Sequence, residues 1–488
     1  MYRAWSRCIQ CIPHRLGRSF SGNSAMDADL LALSKEDLVA RIRELEKKQG
    51  PQATTEHPST GRKQKQGRKL DFDKHPHRQI ALKVAYFGQG YKGLASSSDD
   101  CDDPSVETQV LNAMKRTRLI EERDKSYFTR CGRTDTGVSA FGQVLSVRVR
   151  CKQTSGTGVI PAVCTGKEQQ PIENRPDVVD EQPEEMDFVH MLNAVLPDDI
   201  RVLGWSPVAC DFSARFHCLS RTYRYFFPDA QLDVRLMQAA ANKLVGEHDF
   251  RNFCYFNPDV KHYTRCIESI TVQSATHFTS AASDMSRDDC QMMCLEVKGN
   301  GFLYHQIRCI VGILFLVGNE LESPDVIDAL LDVERFPGRP SYEMAIGEPL
   351  VFYDACFPGL DWLCSASAKQ RLTTHLQRLW RKHATQLTML DNLYSVVCST
   401  PVRSDVSEKN PVLWRDHSLK PTCMSWNVDI VPSLKPGHRK MHNSLLESKL
   451  GEPYEKRREK RALIKESSKQ QQQQEEAMAT VATATAAE

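Results

Sequence analysis

The chain has 488 residues, 40% of them hydrophobic, and its 64 lysines and arginines nearly balance 62 aspartates and glutamates, leaving a net charge of +2. That length allows roughly three domains and a sizeable core. The near-neutral balance excludes a global basic field as the source of nucleic-acid affinity, which would have to come from local patches. The 17 cysteines are scattered, mostly inside hydrophobic segments, and no secretory signal precedes them, so they read as free thiols of a reducing compartment.

Residues 1–25 carry Arg3, Arg7, Arg15 and Arg18 with serines and no acidic residue, the composition of a mitochondrial transit peptide or of a disordered extension. In 26–77, Leu38, Ile42 and Leu45 recur at helical spacing behind Ser34 and Asp37, and a basic polar linker with Lys63, Lys65, Arg68 and Lys69 follows. Alternation of Ile80, Leu82, Val84 and Tyr86 predicts a strand, and Val106, Val110, Leu111 and Met114 predict a helix after Pro104 at a first-turn position. A strand over Val144–Val149 completes one α/β half. The stretch 151–186, rich in Gly, Thr, Pro and acidic residues, reads as an insertion or linker.

A second half repeats the theme: a helix at Phe188–Leu196, then strands at Arg201–Val208 and Leu219–Phe227. Helices Leu232–Val245 and Phe302–Val317 flank strands Ile267–Gln273 and Met292–Lys298. The apolar run Ile310–Val317 is too short to span a bilayer and reads as a buried helix, so no membrane partner is expected. Residues 359–465 form a C-terminal helical extension, with Leu376, Leu379 and Trp380 expected to face a core; 466–488, Gln-rich and then Ala/Thr-rich, reads as a disordered tail. Neither Cys8-x-x-Cys11 nor Cys290-x-x-x-Cys294 has a second ligand pair at structural spacing, so no metal is expected.

The densest chemistry lies in Arg130-Cys131-Gly132-Arg133-Thr134-Asp135-Thr136-Gly137-Val138-Ser139-Ala140-Phe141-Gly142, where a carboxylate sits between a guanidinium and glycines just before a strand. Glycines let such a loop turn tightly and approach a ligand, and Arg133 can neutralise a phosphate or sit beside a base. An Asp capping a turn is the plainer interpretation of an isolated TD-x-G. Gly88-Gln89-Gly90-Tyr91-Lys92-Gly93 fits G-x-G-x-x-G after a strand and raises a second class, a dinucleotide-dependent oxidoreductase. The acidic SSSDDCDD that follows replaces the helix start a pyrophosphate needs and argues against it.

GRTDTGVSAFGQV resembles the catalytic loop of the TruA-like tRNA pseudouridine synthases. Phe212-Ser213-Ala214-Arg215-Phe216 with Arg221-Thr222-Tyr223-Arg224-Tyr225, and Gly301-Phe302-Leu303-Tyr304-His305-Gln306-Ile307-Arg308, are similar to two further segments of that family, in the same order. The resemblance covers about Arg78 to Pro358 and is closest to the eukaryotic enzymes that modify positions 38 and 39 of the anticodon arm. It implies an α+β pseudouridine synthase fold over 78–358, two α/β halves sharing a largely antiparallel central sheet with the active cleft between them. It implies an isomerase without cofactor or metal, acting on tRNA at the anticodon stem-loop, often as a homodimer.

The resemblance also assigns roles. Asp135 would be the catalytic aspartate, kept ionised by Arg308; Tyr223 would lie against the target uracil; Arg133 would hold the space left by a flipped base. Phe302 and Leu303 read as pocket walls and His305 is left without a role, while Thr136 and Gln89 depart from the usual pattern. A catalytically inert RNA-binding protein of the same fold is the alternative, against which the intact Asp135, Tyr223 and Arg308 speak. Lys456–Arg461 (KRREKR) and the basic linker favour a nuclear location, with the cytoplasm as a further compartment and a mitochondrial isoform allowed by the Arg-rich start, Met26 serving as an internal start.

Overall fold

The computed structural model describes residues 70–95, 104–162, 183–229, 232–275, 291–399 and 444–485. The expected N-terminal extension, the helix after Ser34, Met26, the Cys8/Cys11 pair and the basic residues Lys63 to Lys69 lie outside the described residues.

The alternating segments become strands of a single sheet. Strands β1 (His77–Tyr86), β2 (Thr129–Arg130), β3 (Ser139–Arg150), β4 (Val159–Ile160) and β5 (Ile200–Pro207) belong to the first half. The second half supplies β6 (Ser220–Pro228), β7 (Gly246–Asp249), β8 (Thr264–Ser274), β9 (Met292–Gly299) and β10 (Leu350–Cys356). Their order is β4-β1-β3-β10-β6-β9-β8-β7, with β2 added to β3 and β5 to β1. All of these pairings are antiparallel except β3 with β10, which run parallel through Val351 opposite Ser139 and Phe352 opposite Ala140. The sheet is therefore largely antiparallel, and the halves meet along this one parallel seam.

Two hydrophobic clusters flank the seam. The first gathers Ile80, Leu82 and Val84 of β1, Phe188 and Trp205, and the apolar side of α1 (Val106–Arg116). Ser105 caps α1 by accepting from the Thr108 amide, which places Pro104 just before the cap and not inside the first turn. The second cluster packs α3 (Val234–Asn242), α4 (Gln306–Gly318) and α5 (Val326–Leu331) with Tyr225, Phe227 and Leu295 of the sheet. Helix α2 (Phe188–Asn193) lies between β4 and β5 in the chain, capped by Asp187. Helix α4 begins at Gln306, four residues later than its apolar pattern suggests, because His305 adopts a left-handed conformation, φ 61° and ψ 11°, and stops the helix extending backwards.

Three expectations need correction. The start of the 151–186 stretch is stitched to the sheet: β4 pairs with β1, Cys151 is buried, and Arg78 binds the Thr157 carbonyl, Gln153 and Glu185. Helix α6 (Ala366–Ser399) buries its first turns through Ala368 and Leu372; of the three residues expected to face a core, Trp380 is 64% exposed, Leu376 is exposed too, and Leu379 is half-buried. Residues 466–485, expected to lack order, continue helix α7 (Tyr454–Thr485), whose Lys, Glu, Gln and Ala content favours helix. Among the described residues no helix is long and apolar enough to cross a membrane.

Candidate active site

Residues 131–138 run without regular structure from β2 to β3 and come to lie over the β3–β10 seam. They are held from three directions. From below, the buried Gln143 accepts from the Gly132 amide (3.3 Å) and donates to its carbonyl (3.1 Å), so a side-chain amide continues the ladder where the strand has ended. From the first half, the Tyr86 hydroxyl meets Thr134 Oγ1 at 2.7 Å; burial pushes that phenol up to about 12, keeping it protonated. Leu94 donates to the Thr134 carbonyl and Gly137 to that of Tyr91.

Gly88 and Gly93 of the 88–93 stretch are accounted for here, whereas Gly90 serves a left-handed turn, φ +92°, in open space. At Gly93, φ is +101° and a Cβ would stand 2.5 Å from the Thr134 carbonyl oxygen; at Gly88 one would drive into the Val138 carbonyl. Their spacing serves close approach to the Asp135 loop, not a dinucleotide.

From the second half, Arg221 reaches in from β6: one terminal nitrogen donates to the Cys131 and Arg215 carbonyls (3.1 and 2.9 Å), the other to Asn300 (2.7 Å). One guanidinium thus ties the loop, the Phe212–Phe216 segment and the turn before α4 together through its planar fork.

Asp135 projects from this scaffold with its side chain 27% exposed. Arg308, in the first turn of α4, places a terminal nitrogen 3.6 Å from Asp135 Oδ2, an ion pair slightly longer than a hydrogen bond. Its Nε donates to the Ala345 carbonyl at 2.7 Å, and the Ala345 amide returns a bond to the Arg308 carbonyl, so the guanidinium is aimed by backbone. His305 Nε2 lies 3.3 Å from the same Oδ2.

Tyr223, on β6, stands edge-on between Phe302 (5.2 Å between ring centres) and Phe352 (5.0 Å). The Tyr223 hydroxyl faces Gly132, where a Cβ would lie 3.9 Å from it. Burial first, then the neighbouring Cys131 and Asp135, pushes this phenol well above the ordinary tyrosine range, so it carries its proton at neutral pH. Arg133 is exposed beside these groups, and Phe216 and Leu219 leave apolar surface open in the same segment that Arg221 fastens. The structure therefore brings Asp135, Arg308 and Tyr223 to one cleft and leaves Arg133 at its edge. Sequence reasoning missed Gln143 and Arg221, and it left His305 idle; Arg221 was visible only as the first residue of an R-x-Y-x-Y string.

An open, largely antiparallel sheet in an α+β fold, with a carboxylate-bearing loop seated on its central seam and faced by a guanidinium and a tyrosine, defines the architecture of a pseudouridine synthase. The model of the family described as tRNA pseudouridine synthase matches residues 240–358. The chain is 38% identical over 411 residues to the tRNA pseudouridine(38/39) synthase of Homo sapiens, covering 82% of each protein. It is 39% identical over 424 residues to that of Bos taurus, covering 83% of this chain and 84% of that one, and 37% identical over 349 residues to that of Saccharomyces cerevisiae, covering 67% and 72%. The chain belongs to the tRNA pseudouridine synthase family.

Proposed function

We propose that this tRNA pseudouridine synthase isomerises uridines at positions 38 and 39 of the anticodon stem-loop, the specificity carried by the names of its relatives, with Asp135 as the catalytic residue. In the reaction the N1–C1′ bond of uridine breaks, the uracil turns, C5 bonds to C1′, C5 gives up its proton and N1 gains one. No redox equivalent is consumed. A carboxylate at the sugar or base assists departure of the uracil, as it does at glycosidic centres. The observation that carries the reading is the placement of Asp135: its carboxylate is faced by Arg308 at 3.6 Å and lies near enough to Tyr223, whose ring packs on Phe302, to help raise that phenol.

The other roles follow from position. Arg308 balances the carboxylate through both states of the reaction. Tyr223 offers the detached uracil a ring face, and its protonated hydroxyl is available to donate. Reaching Asp135 requires a base to leave its stack, and the exposed Arg133 is the cation that takes its place and holds the phosphate. The enzyme works as a homodimer: along α6, residues 376, 380, 383, 387, 390, 394 and 397 alternate spacings of four and three, and Leu376, Trp380, Leu387 and Leu390 are exposed. That is the seam of a coiled coil, and a second copy presents the same seam. The nucleus is the compartment this reading favours, from Lys456, Lys460 and Arg461, which α7 presents to solvent; imaging a full-length fluorescent fusion and one with these three residues neutralised checks it.

Asp135→Asn, with shape kept and charge removed, tests the central assignment. Unmodified tRNA transcripts mapped for pseudouridine should show turnover reduced by at least about 1,000-fold, with tRNA affinity unchanged and the melting temperature lowered by no more than about 4 °C. Turnover within tenfold of wild type would overturn it.

A further inference from the structure

His305 is the side chain nearest Asp135 that the reaction as described leaves without a task. Its Nε2 is 3.3 Å from Asp135 Oδ2, closer than Arg308. Its backbone is one of four left-handed positions outside glycine among the described residues, and that conformation turns the ring back from the α4 terminus towards the loop. The ring is clasped on both sides: Tyr304 stacks at 3.7 Å, and Tyr255 meets it edge-on at 5.2 Å. Its Nδ1 is buried and has no hydrogen-bond partner.

These contacts suit one tautomer. A hydrogen on Nε2 faces the carboxylate oxygen, and the orphaned Nδ1 is then the bare nitrogen of a neutral ring. The charged groups around it agree. Burial opposes a cation, Asp135 of the loop favours one, and Arg308 of α4 and Arg339, from the segment before β10, oppose it again, so that together they hold the imidazole below its ordinary range. Tyr255 and Tyr304 meet it through their ring faces and edges. Arg339 is itself held in place, its guanidinium over Tyr255 (4.4 Å) and Tyr342 (3.9 Å) and its backbone carbonyl bound by the Gly451 amide.

We infer that neutral His305 is a positioning residue for Asp135: its Nε2–H donates to Oδ2, fixing the rotation of the carboxylate so that Oδ1 is presented to the reacting nucleoside. Arg308 supplies charge but approaches too loosely to set that rotation. The inference rests on the reading of Asp135 as the catalytic carboxylate.

Three variants of the full chain test it. Asn tolerates the left-handed backbone but is too short to reach Oδ2, so His305→Asn should lower kcat about 30-fold, the scale of a slight misplacement of a reacting group, and leave KM for tRNA within twofold. A Gln amide nitrogen can take the place of Nε2, so His305→Gln should recover kcat to within about fivefold of wild type. Protonation would replace a neutral donor with a cation in a site built against one. The wild-type kcat should accordingly hold steady through the ordinary histidine range and fall only at lower pH, with an acid limb that His305→Gln alters.

His305→Asn turning over within twofold of wild type, or Gln no better than Asn at equal melting temperature, would overturn the inference. If both variants melt more than about 10 °C early, the wild-type profile decides: an inflection at or above the ordinary histidine range sinks the idea. Asp135→Asn measured in parallel separates the two readings, because an active Asp135→Asn removes the premise, whereas an inactive Asp135→Asn beside an unaffected His305→Asn removes only the inference.

Discussion

Residues 131–138 and helix α6 are opposites in how they are held. The loop has no regular structure, yet Gln143, Tyr86, Arg221, Leu94 and Tyr91 secure it from both halves of the sheet. Helix α6, 34 residues long, satisfies its own backbone and turns Leu376, Trp380, Leu387 and Leu390 to solvent. Regular secondary structure is thus a poor guide to which part of this molecule is tightly determined. The loop is fixed by long-range bonds because chemistry needs a carboxylate placed to a fraction of an ångström. The helix needs only its length and one face, which local hydrogen bonds supply.

That contrast can be broken most forcefully at Gly93. An alanine there meets the Thr134 carbonyl and an unfavourable φ, so Gly93→Ala should destabilise the protein by about 2 kcal/mol and lower turnover about 100-fold, read by denaturant unfolding and pseudouridine mapping. Arg308→Met comes next. Because the Asp135 side chain is 27% exposed, the broken ion pair is part-hydrated, and the expected stability loss is about 1 kcal/mol beside a turnover loss of roughly 20-fold. A larger stability loss without loss of turnover would show Arg308 to be structural.

Tyr223→Phe keeps the ring and both of its aromatic contacts. If the ring face is what the uracil uses, single-turnover rates should fall only about threefold; a fall beyond about 100-fold would assign proton transfer to the hydroxyl. The smallest effect on chemistry is expected from α6. Leu387→Glu with Leu390→Glu should leave kcat at saturating tRNA within twofold while sedimentation shifts from dimer to monomer. Unchanged sedimentation would return the stripe to some other surface role.

The two regions were also unequally legible. GRTDTGV and GFLYHQIR announce their chemistry locally, since the residue types and their order are the signal, and the cleft does bring Asp135, Tyr223 and Arg308 together. Helix α6 was visible as a helix, but which face would be covered was not, because an amphipathic pattern states that an apolar face exists and not what meets it. The glycines at 88 and 93 looked like a nucleotide signature because close backbone approach has the same sequence cost whether the neighbour is a phosphate or the chain's own loop.

Alternation and hydrophobic periodicity were enough to determine an α+β protein and its principal strands and helices, and motif order, through the family resemblance it carries, pointed to the carboxylate, tyrosine and arginine of its cleft. Each of those is a property of residues close together in the chain, or of a local pattern that persists wherever the segment packs. Tertiary structure alone decided that Leu350–Cys356 becomes the strand joining the halves, pairing in parallel with a strand some 200 residues earlier. It alone turned Gln143 and Arg221 into supports of the loop and set His305 against Asp135 within a ring of Tyr255, Tyr304 and Arg339. Such assignments rest on backbone hydrogen bonds and side-chain contacts between distant segments, whose partners no local periodicity encodes.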